Sequence, residues 1–211
     1  MTAVRLIQIQ TPFGPARVHL RPVQRPRAAL VLGHGAAGGV DAPDLAAATQ
    51  AAQSEKIGVA LVEQAYRVAG RRSPAPASQL DAVWTATVET LRRGELGDLP
   101  LIVGGRSSGG RVACRTAEST GAVALLCLAF PLKPPRRAGK PSTSRLPELE
   151  AVKLPTLVVQ GERDPFGVPP PGPSREVVAV PGDHGLKTDL HVVAEAVRTW
   201  LARVAAEAAA A

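Results

Sequence analysis

The segment that most constrains this chain covers residues 101–110 and reads LIVGGRSSGG. The aliphatic residues at its start favour a β-strand, and the residues that follow it can form a helix. A strand that becomes a helix within one residue forces that residue into a strained backbone conformation, and Cβ atoms two positions to either side would collide across the turn. Gly105 and Gly109 stand at those positions, with Ser107 between them. The segment therefore predicts a strand, a tight turn at Ser107 and a helix, with Gly110 giving the new helix room to pack closely.

The pattern G-x-S-x-G holds a serine side chain clear of the backbone, where it can face a base. A serine hydroxyl is a poor nucleophile without such a base, so the turn makes Ser107 a candidate nucleophile. The pattern is short, and a glycine-rich turn that binds phosphate or only reverses the chain would also fit it. A P-loop, however, requires a Lys directly after its last glycine, which this turn lacks. The role of Ser107 therefore depends on residues elsewhere in the chain.

Strand-like and helix-like segments alternate along the rest of the chain. We predict strands at residues 4–10, 16–21, 28–32, 58–63, 99–104, 122–130, 156–160 and 176–180, and helices at residues 43–56, 78–93, 109–119 and 191–209. The first two strands flank the turn TPFGP and form an antiparallel hairpin. The third is continuously apolar, as in a strand buried on both faces. The alternation predicts an α/β fold: a mostly parallel, doubly wound sheet with an N-terminal antiparallel hairpin at its edge.

The length of 211 residues suffices for one well-packed domain, and we predict a single domain over residues 1–211. Residues 1–27 hold the hairpin and a linker, residues 131–147 form a Pro- and Arg-rich excursion too polar to join the core, and residues 206–211 are an Ala-rich tail. No insertion is large enough for a helical cap domain, so the excursion is the only candidate cover of a site. Its basic residues could select anionic substrates or form a solvated loop: Lys133, Arg136, Arg137 and Lys140.

The formal net charge of +7 raises the question of nucleic-acid binding. The basic residues are scattered, no aromatic residues are interleaved with them to stack on bases, and no known nucleic-acid motif is present. We therefore expect a solvated basic surface and no nucleic-acid partner. The first ten residues lack the apolar block of a signal peptide, and no run of about 18 apolar residues exists, so we expect a cytoplasmic protein with no membrane partner. Cys114 and Cys127 are expected to be buried free thiols.

Two further candidates follow the last two predicted strands, and ligands of open α/β sheets bind at the carboxyl ends of strands. Asp164 comes directly after one of these strands, and His184 after the other. His184 would take the proton of the Ser107 hydroxyl and return it to the leaving group, while Asp164 would fix the imidazole tautomer and stabilise the imidazolium. Glu162 is the alternative acid. Asp183 is a weaker one, because the side chains of neighbouring residues diverge.

A serine nucleophile also needs an oxyanion hole, in which two backbone N–H groups point to the place where negative charge develops. In this architecture one donor is the residue after the nucleophile, here Ser108, and the other comes from the loop after an early strand. That loop is residues 33–39, GHGAAGG, in which we predict the Ala36 N–H as the second donor. His34 is expected to be structural, with its ring hydrogen-bonded to nearby backbone.

Together these motifs resemble those of the α/β-hydrolase superfamily: GHG after the third strand, GGRSSGG at the turn, QGERDPFG around Asp164 and GDH at His184. The chain order Ser, Asp, His is the order of that superfamily. Within it, the chain is most similar to the lidless, dienelactone-hydrolase-like group, and more narrowly to the branch named for a testis-expressed protein and a subunit of a histone-acetyltransferase complex. The resemblance covers the chain from Gly33 onward and implies a Ser–Asp–His hydrolase with no cofactor and no metal. Dienelactone hydrolases use a cysteine nucleophile, so their particular substrate is not implied, and relatives often have Ser where Gly185 stands here.

The sequence supports two hypotheses of function. The favoured one is a serine hydrolase, a carboxylesterase or thioesterase, that forms an acyl-enzyme on Ser107 with a small ester or thioester. Esters are favoured over amides because the departure of their leaving groups requires less catalytic assistance. The alternative is a non-catalytic protein-interaction module with the same fold, in line with the complex-subunit relatives. The substrate and the oligomeric state, a monomer or a small homo-oligomer, are left open by the sequence.

Overall fold

The centre of the fold is one β-sheet, seen in a computed structural model that describes residues 3–133 and 143–210. Over these residues the sheet has eight strands: β1 (Arg5–Ile9), β2 (Ala16–Arg21), β3 (Ala28–Gly33), β4 (Ile57–Glu63), β5 (Leu101–Arg106), β6 (Ala124–Leu128), β7 (Thr156–Gly161) and β8 (Arg175–Val180). Their order across the sheet is β1-β2-β4-β3-β5-β6-β7-β8. The pairs β1–β2 and β2–β4 are antiparallel, and every other pair is parallel. The carboxyl ends of β3 to β8 therefore lie along one edge of the sheet.

The described residues also form six α-helices that connect and cover the strands. They are α1 (Pro43–Ser54), α2 (Ala65–Val68), α3 (Ala77–Leu91), α4 (Ser108–Thr116), α5 (Leu146–Glu150) and α6 (Leu190–Ala210). The helix α3 continues into a π-helical turn, Arg92–Leu96. Proline occupies the first turn of α1, where its fixed φ suits a helix start and its missing N–H costs no hydrogen bond. None of these helices is both long enough and apolar enough to cross a membrane.

Alternate residues of the central strands face two separate apolar layers, because side chains of a strand point to opposite faces in turn. In β3, Ala29 and Val31 face the layer that contains the buried side chains of α3 and α4. Leu30 and Leu32 face the layer that contains those of α1 and α6. Each large aliphatic side chain buried in this way stabilises the fold by about 1.5–3 kcal/mol. Burial on both faces explains why the central strands are continuously apolar in the sequence.

The predicted fold class, a mostly parallel, doubly wound sheet with an N-terminal antiparallel hairpin, is confirmed. The strand predicted at residues 16–21 has its predicted bounds, and most other strands differ by one or two residues at their ends. The strand predicted at residues 99–104 is shifted along the chain to Leu101–Arg106, because its pairing with β6 continues until Arg106 lies opposite Leu128. The strand therefore ends directly before Ser107.

The prediction that residues 131–147 are too polar to join the core is wrong at both ends of that segment. Leu132 is buried in the layer beneath α3 and α4, and Leu146 begins α5 and packs against the same layer. Each of them stands among prolines and basic residues, so the mean polarity of the segment concealed it. Residues 134–142, with the basic side chains Arg136, Arg137 and Lys140, lie outside the described part of the chain.

The Ala-rich tail is part of the last helix, and the two cysteines are buried. The Ala-rich tail is helical up to Ala210, in keeping with the high helix propensity of alanine. Cys114 and Cys127 are buried free thiols, as predicted, and their Sγ atoms lie 3.8 Å apart. The hydrogen bond to Cys114 and burial raise the pKa of the Cys127 thiol, so this group stays protonated and unreactive.

Gly104 allows a test of how closely β5 and β6 approach each other. A Cβ at this position would lie 2.2 Å from the carbonyl O of Leu126, which belongs to the β6 backbone. We expect Gly104→Ala to lower the free energy of unfolding by about 3 kcal/mol, because the strands must separate to admit the methyl group. Urea denaturation followed by circular dichroism measures this change.

The matched control is Gly58→Ala, which adds the same methyl group to β4. No atom lies within 4 Å of the position of that Cβ, so the free energy of unfolding should stay constant or rise slightly. Equal denaturation midpoints for the two variants would contradict the described packing.

Candidate active site

Ser107 lies in the turn between β5 and α4, at the carboxyl edge of the sheet. Its backbone has φ 51° and ψ −111°, a conformation that L residues rarely adopt. A Cβ on Gly105 would lie 2.7 Å from the backbone of Gly109, and a Cβ on Gly109 would lie 2.4 Å from the carbonyl O of Gly33. The two glycines are therefore required because three backbone segments meet there. The strand, turn and helix predicted around Ser107 are present.

The structure brings the three predicted side chains together. Nε2 of His184 lies 2.9 Å from Oγ of Ser107, and Nδ1 of His184 lies 2.7 Å from Oδ2 of Asp164. Because the Asp164 carboxylate can only accept, Nδ1 carries the proton, and the free lone pair of Nε2 faces the serine hydroxyl. This is the arrangement that a general base needs in order to take a proton from Ser107.

The loops that carry Asp164 and His184 are joined to each other through their backbones. The N–H of Glu162 donates to the carbonyl O of Val180 at 2.9 Å, and the N–H of Arg163 donates to that of Gly182, also at 2.9 Å. Asp164 follows the end of β7, and His184 follows the end of β8, so the parallel pairing of these strands places both loops at the same edge. The two loops therefore form one connected unit.

The alternative acids do not face the histidine ring. The Glu162 side chain is exposed, although its backbone takes part in the loop pairing. Oδ1 of Asp183 accepts the N–H of Gly185 at 2.8 Å and so closes a local turn. Only Asp164, among these three carboxylates, has an oxygen at hydrogen-bond distance from the ring of His184.

Gln160 is a site residue that the sequence analysis missed. Its side chain is fully buried at the end of β7, and its Nε2 donates to Oδ2 of Asp164 at 2.7 Å. The same amide group contacts the carbonyl O atoms of Phe130 and Gly167 at 3.1 and 3.0 Å. Gln160 thus fixes the carboxylate that faces the imidazole. The available signal was a polar residue that ends an otherwise apolar buried strand.

Phe166 is a second residue that the sequence analysis missed. Its backbone N–H donates to Oδ1 of Asp164 at 2.8 Å, so both carboxylate oxygens have donors. Its ring lies edge-on to the ring of His184, with the centroids 4.5 Å apart and the planes at 79°. Aromatic pairs favour this geometry, which here restricts the orientation of the imidazole. Asp164 and His184 are therefore both fixed by Phe166.

The two predicted oxyanion donors belong to the start of α4 and to the loop after β3. Ser108 is the first residue of α4, where helix geometry leaves backbone N–H groups without intrahelical partners. Ala36 lies in the loop after β3, and its carbonyl O accepts the hydroxyl of Tyr66 at 3.0 Å. With its carbonyl held in this way, the peptide groups of the loop are kept in a fixed orientation.

His34 holds the same loop from inside. Its Nδ1 donates to the carbonyl O of Gly35 at 2.8 Å, and its Nε2 accepts the N–H of Gln64 at 3.2 Å. This is the structural role expected from the sequence. Burial lowers the pKa of His34, in agreement with a neutral ring that both donates and accepts.

Of the four basic residues singled out in the excursion, only Lys133 lies in the described part of the chain. Its side chain is exposed, and its backbone N–H donates to the carbonyl O of Phe166 at 2.9 Å. Within residues 3–133 and 143–210, no three His, Cys, Asp or Glu side chains are grouped as a metal ion would require. The two alternatives for these basic residues, selection of anionic substrates and a solvated loop, both stay predictions.

The chain is similar in sequence and in fold to known α/β hydrolases. Residues 26–207 match the family described as an alpha/beta hydrolase domain. No curated protein matches the sequence. Among solved structures, the chain is similar to an α/β serine hydrolase without a lid from Xanthomonas campestris, with a TM-score of 0.77 and 18% identity over 96% of this chain and 95% of that chain.

Two further solved structures show the same likeness. Est1E from Butyrivibrio proteoclasticus has a TM-score of 0.76 and 15% identity over 95% of this chain and 99% of its own. A dienelactone hydrolase from Anabaena variabilis has a TM-score of 0.71 and 15% identity, covering 94% and 96% of the two chains. At these identities the likeness concerns the fold, and it confirms the prediction of an α/β-hydrolase fold without a cap domain.

His34 gives the structure a testable pH dependence. In the unfolded chain its ring titrates near 6.5, whereas burial lowers the pKa in the folded chain. Below pH 6.5 the unfolded state therefore binds more protons, and the free energy of unfolding falls as the pH drops. We expect the wild type to lose about 1 kcal/mol more than His34→Asn between pH 7.5 and 5.5, measured by urea denaturation.

The control is His191→Asn, which replaces an exposed histidine at the start of α6. It should lose as much stability as the wild type over the same interval. If His34→Asn also loses that amount, the buried ring is not the source of the pH dependence.

Proposed function

Because the chain belongs to the alpha/beta hydrolase domain family, we propose that it is a serine hydrolase that cleaves ester bonds through an acyl-enzyme on Ser107. The observation that carries this proposal is the pair of contacts made by His184, at 2.9 Å to Oγ of Ser107 and 2.7 Å to Oδ2 of Asp164. A phosphate-binding or purely structural turn has no need of a histidine and a carboxylate at these positions.

In the proposed reaction, Nε2 of His184 takes the hydroxyl proton while Oγ of Ser107 attacks the carbonyl carbon of the ester. The resulting tetrahedral intermediate collapses when the imidazolium returns that proton to the leaving alcohol or thiol. Water then attacks the acyl-enzyme with the same histidine as base, and the acid is released. Asp164 stays ionised throughout and stabilises the imidazolium through Nδ1.

The negative charge of each tetrahedral intermediate requires donors, and we assign these to the N–H groups of Ser108 and Ala36. The position of Ser108 at the start of α4 supports this assignment, since the positive end of a helix dipole favours an anion. The fixed loop around Ala36, held by His34 and Tyr66, supports the second donor. Preorganised donors of this kind each contribute about a hundredfold or more in rate.

The proposed substrate is a small carboxylic ester or thioester, and the proposed enzyme is a carboxylesterase or thioesterase. Among structurally similar proteins, one structure of Est1E holds ferulic acid, and another protein is a dienelactone hydrolase. Those names concern those proteins, and for this chain they support only the class of carboxylic acid derivatives. We further propose that the enzyme needs no cofactor and acts in the cytoplasm. We also propose that it belongs to the dienelactone-hydrolase-like branch that its motifs resemble.

Labelling with a fluorophosphonate probe tests whether Ser107 is an activated nucleophile. We expect the wild type to be labelled and Ser107→Ala to stay unlabelled, because the probe forms a covalent bond only with a serine whose proton is removed by a neighbouring base. Ser73→Ala, which replaces an exposed loop serine, is the control and should be labelled as fast as the wild type. A folded wild type that is never labelled would contradict the proposal and favour the interaction-module alternative.

Hydrolysis of p-nitrophenyl esters of increasing acyl length tests the assignment of the acid. We expect Asp164→Asn to lower kcat by about 10³–10⁴-fold, because an asparagine cannot hold the imidazole in the required tautomer. Glu162→Gln changes an exposed carboxylate two residues earlier and should keep kcat within about twofold of the wild-type value. The opposite ranking of the two variants would move the assignment to Glu162.

A further inference from the structure

Arg106 stands directly before Ser107, at the end of β5, and its guanidinium contacts groups from three other parts of the chain. Its Nε lies 2.9 Å from Oδ2 of Asp44 in α1, and its Nη2 donates to the carbonyl O of His184 at 2.9 Å. Its Nη1 lies 2.8 Å from the position that a Cβ on Gly35 would occupy, so the guanidinium also packs against the loop after β3. One side chain thus touches the elements that carry the candidate base and a candidate oxyanion donor.

The ion pair with Asp44 fixes the orientation of this guanidinium. The Asp44 side chain is 0% exposed and that of Arg106 is 17% exposed. Burial raises the pKa of Asp44, and the neighbouring Arg106 opposes this effect. The carboxylate lies in the first turn of α1 and accepts the N–H of Leu45 at 2.9 Å, so its position is set by the helix. Because the guanidinium is planar, the contact of its Nε with Asp44 limits the directions in which its other N–H groups can donate.

His184 needs such an anchor because the strand that it follows is not adjacent to the strand that precedes Ser107. It follows β8, whereas Ser107 follows β5, so its loop must reach back across three strand spacings, about 14 Å. On the side of β7, the loop is tied by the backbone of Arg163 and by Asp164. On the side of β5, Ser107 contacts the ring of His184, and Arg106 donates a hydrogen bond to its main-chain carbonyl O.

We propose that Arg106, held by Asp44, is a positioning residue for the candidate base. It fixes the main chain of His184 while Asp164 fixes the ring, and the two together keep Nε2 at 2.9 Å from Oγ of Ser107. The residue acts through His184, and the effect on the reaction rests on the proposed function. The residue directly before the nucleophile thus restrains the main chain of the candidate base.

Arg106→Lys tests this role with little change in charge. A lysine can pair with Asp44, but its single ammonium group cannot also hold the carbonyl of His184 in the same fixed geometry. We expect the rate constant for fluorophosphonate labelling and the kcat for a p-nitrophenyl ester to fall by about tenfold to a hundredfold, with KM within about twofold. The matched control is Arg115→Lys, which alters a partly buried Arg–Asp pair between α4 and α3, with Arg115 at 2.6 Å from Asp81, and should label at the wild-type rate.

A double variant removes the guanidinium without leaving the buried carboxylate of Asp44 unpaired, and the single variant Asp44→Asn is its reference. Asp44→Asn keeps Arg106 and its bond to the carbonyl of His184, whereas Asp44→Asn/Arg106→Met loses both. We expect the double variant to label at least about tenfold more slowly than the single variant when both are folded by circular dichroism. Equal labelling rates in the two variants, together with a wild-type rate for Arg106→Lys, would overturn the proposal.

Hydrogen exchange separates this inference from the proposed function. The peptide covering residues 181–190 should exchange about tenfold faster in Arg106→Lys than in the wild type or Arg115→Lys, because its anchor is lost. If the wild type is never labelled but this exchange difference is found, the enzymatic function fails and the anchoring of the loop stands. If the wild type is labelled and neither exchange nor labelling changes in Arg106→Lys, the anchoring fails and the function stands.

Discussion

The contact among the backbones of Gly33, Gly105 and Gly109 is the constraint on which the rest of the structure depends. A Cβ on Gly105 or Gly109 would lie 2.6 or 2.4 Å from the carbonyl O of Gly33, so β3, β5 and the start of α4 touch without intervening side chains. This approach lets α4 begin directly after β5 and forces Ser107 to φ 51°. Such a conformation costs on the order of 1–3 kcal/mol. The buried face of α4 and the hydrogen bond from the N–H of Ser107 to the carbonyl O of Leu128, at 2.8 Å, offset that cost.

Once the turn is fixed, the sheet determines what can reach Ser107. Parallel pairing from β3 to β8 brings the loop after β3 and the loops after β7 and β8 to the edge where the turn projects. The loop after β3 meets the turn from one side, and Asp164 and His184 meet it from the other. The site is therefore a property of strand order, and residues 57 to 77 positions apart in sequence become neighbours. The same edge must satisfy buried polar groups, which explains why glutamine, histidine and tyrosine side chains donate to or accept from backbone groups there.

The parts of this arrangement that could be predicted from sequence follow from local rules. The collision of Cβ atoms across a tight turn requires Gly105 and Gly109, and the end of an apolar strand marks where Asp164 and His184 begin their loops. Gln160 and Arg106 could not be found in this way, because their roles depend on groups that only the fold brings near them. Neither residue carries a local pattern beyond a polar side chain at a strand end. Leu132 is buried in the core but was not predicted to be. An isolated apolar residue among prolines and cations gives no periodic signal.

Two buried carboxylates act on His184, Asp164 directly and Asp44 through Arg106. Asp164 accepts three N–H groups, from Nδ1 of His184, Nε2 of Gln160 and the backbone of Phe166. Asp44 is paired with Arg106, which passes the constraint on to the carbonyl of His184. In both cases the group that restrains the loop stands on a strand, Gln160 on β7 and Arg106 on β5. Gln160 restrains the ring of His184 through Asp164, and Arg106 restrains its main chain. Because both residues belong to strands, the sheet sets the distance from Nε2 to the Ser107 hydroxyl.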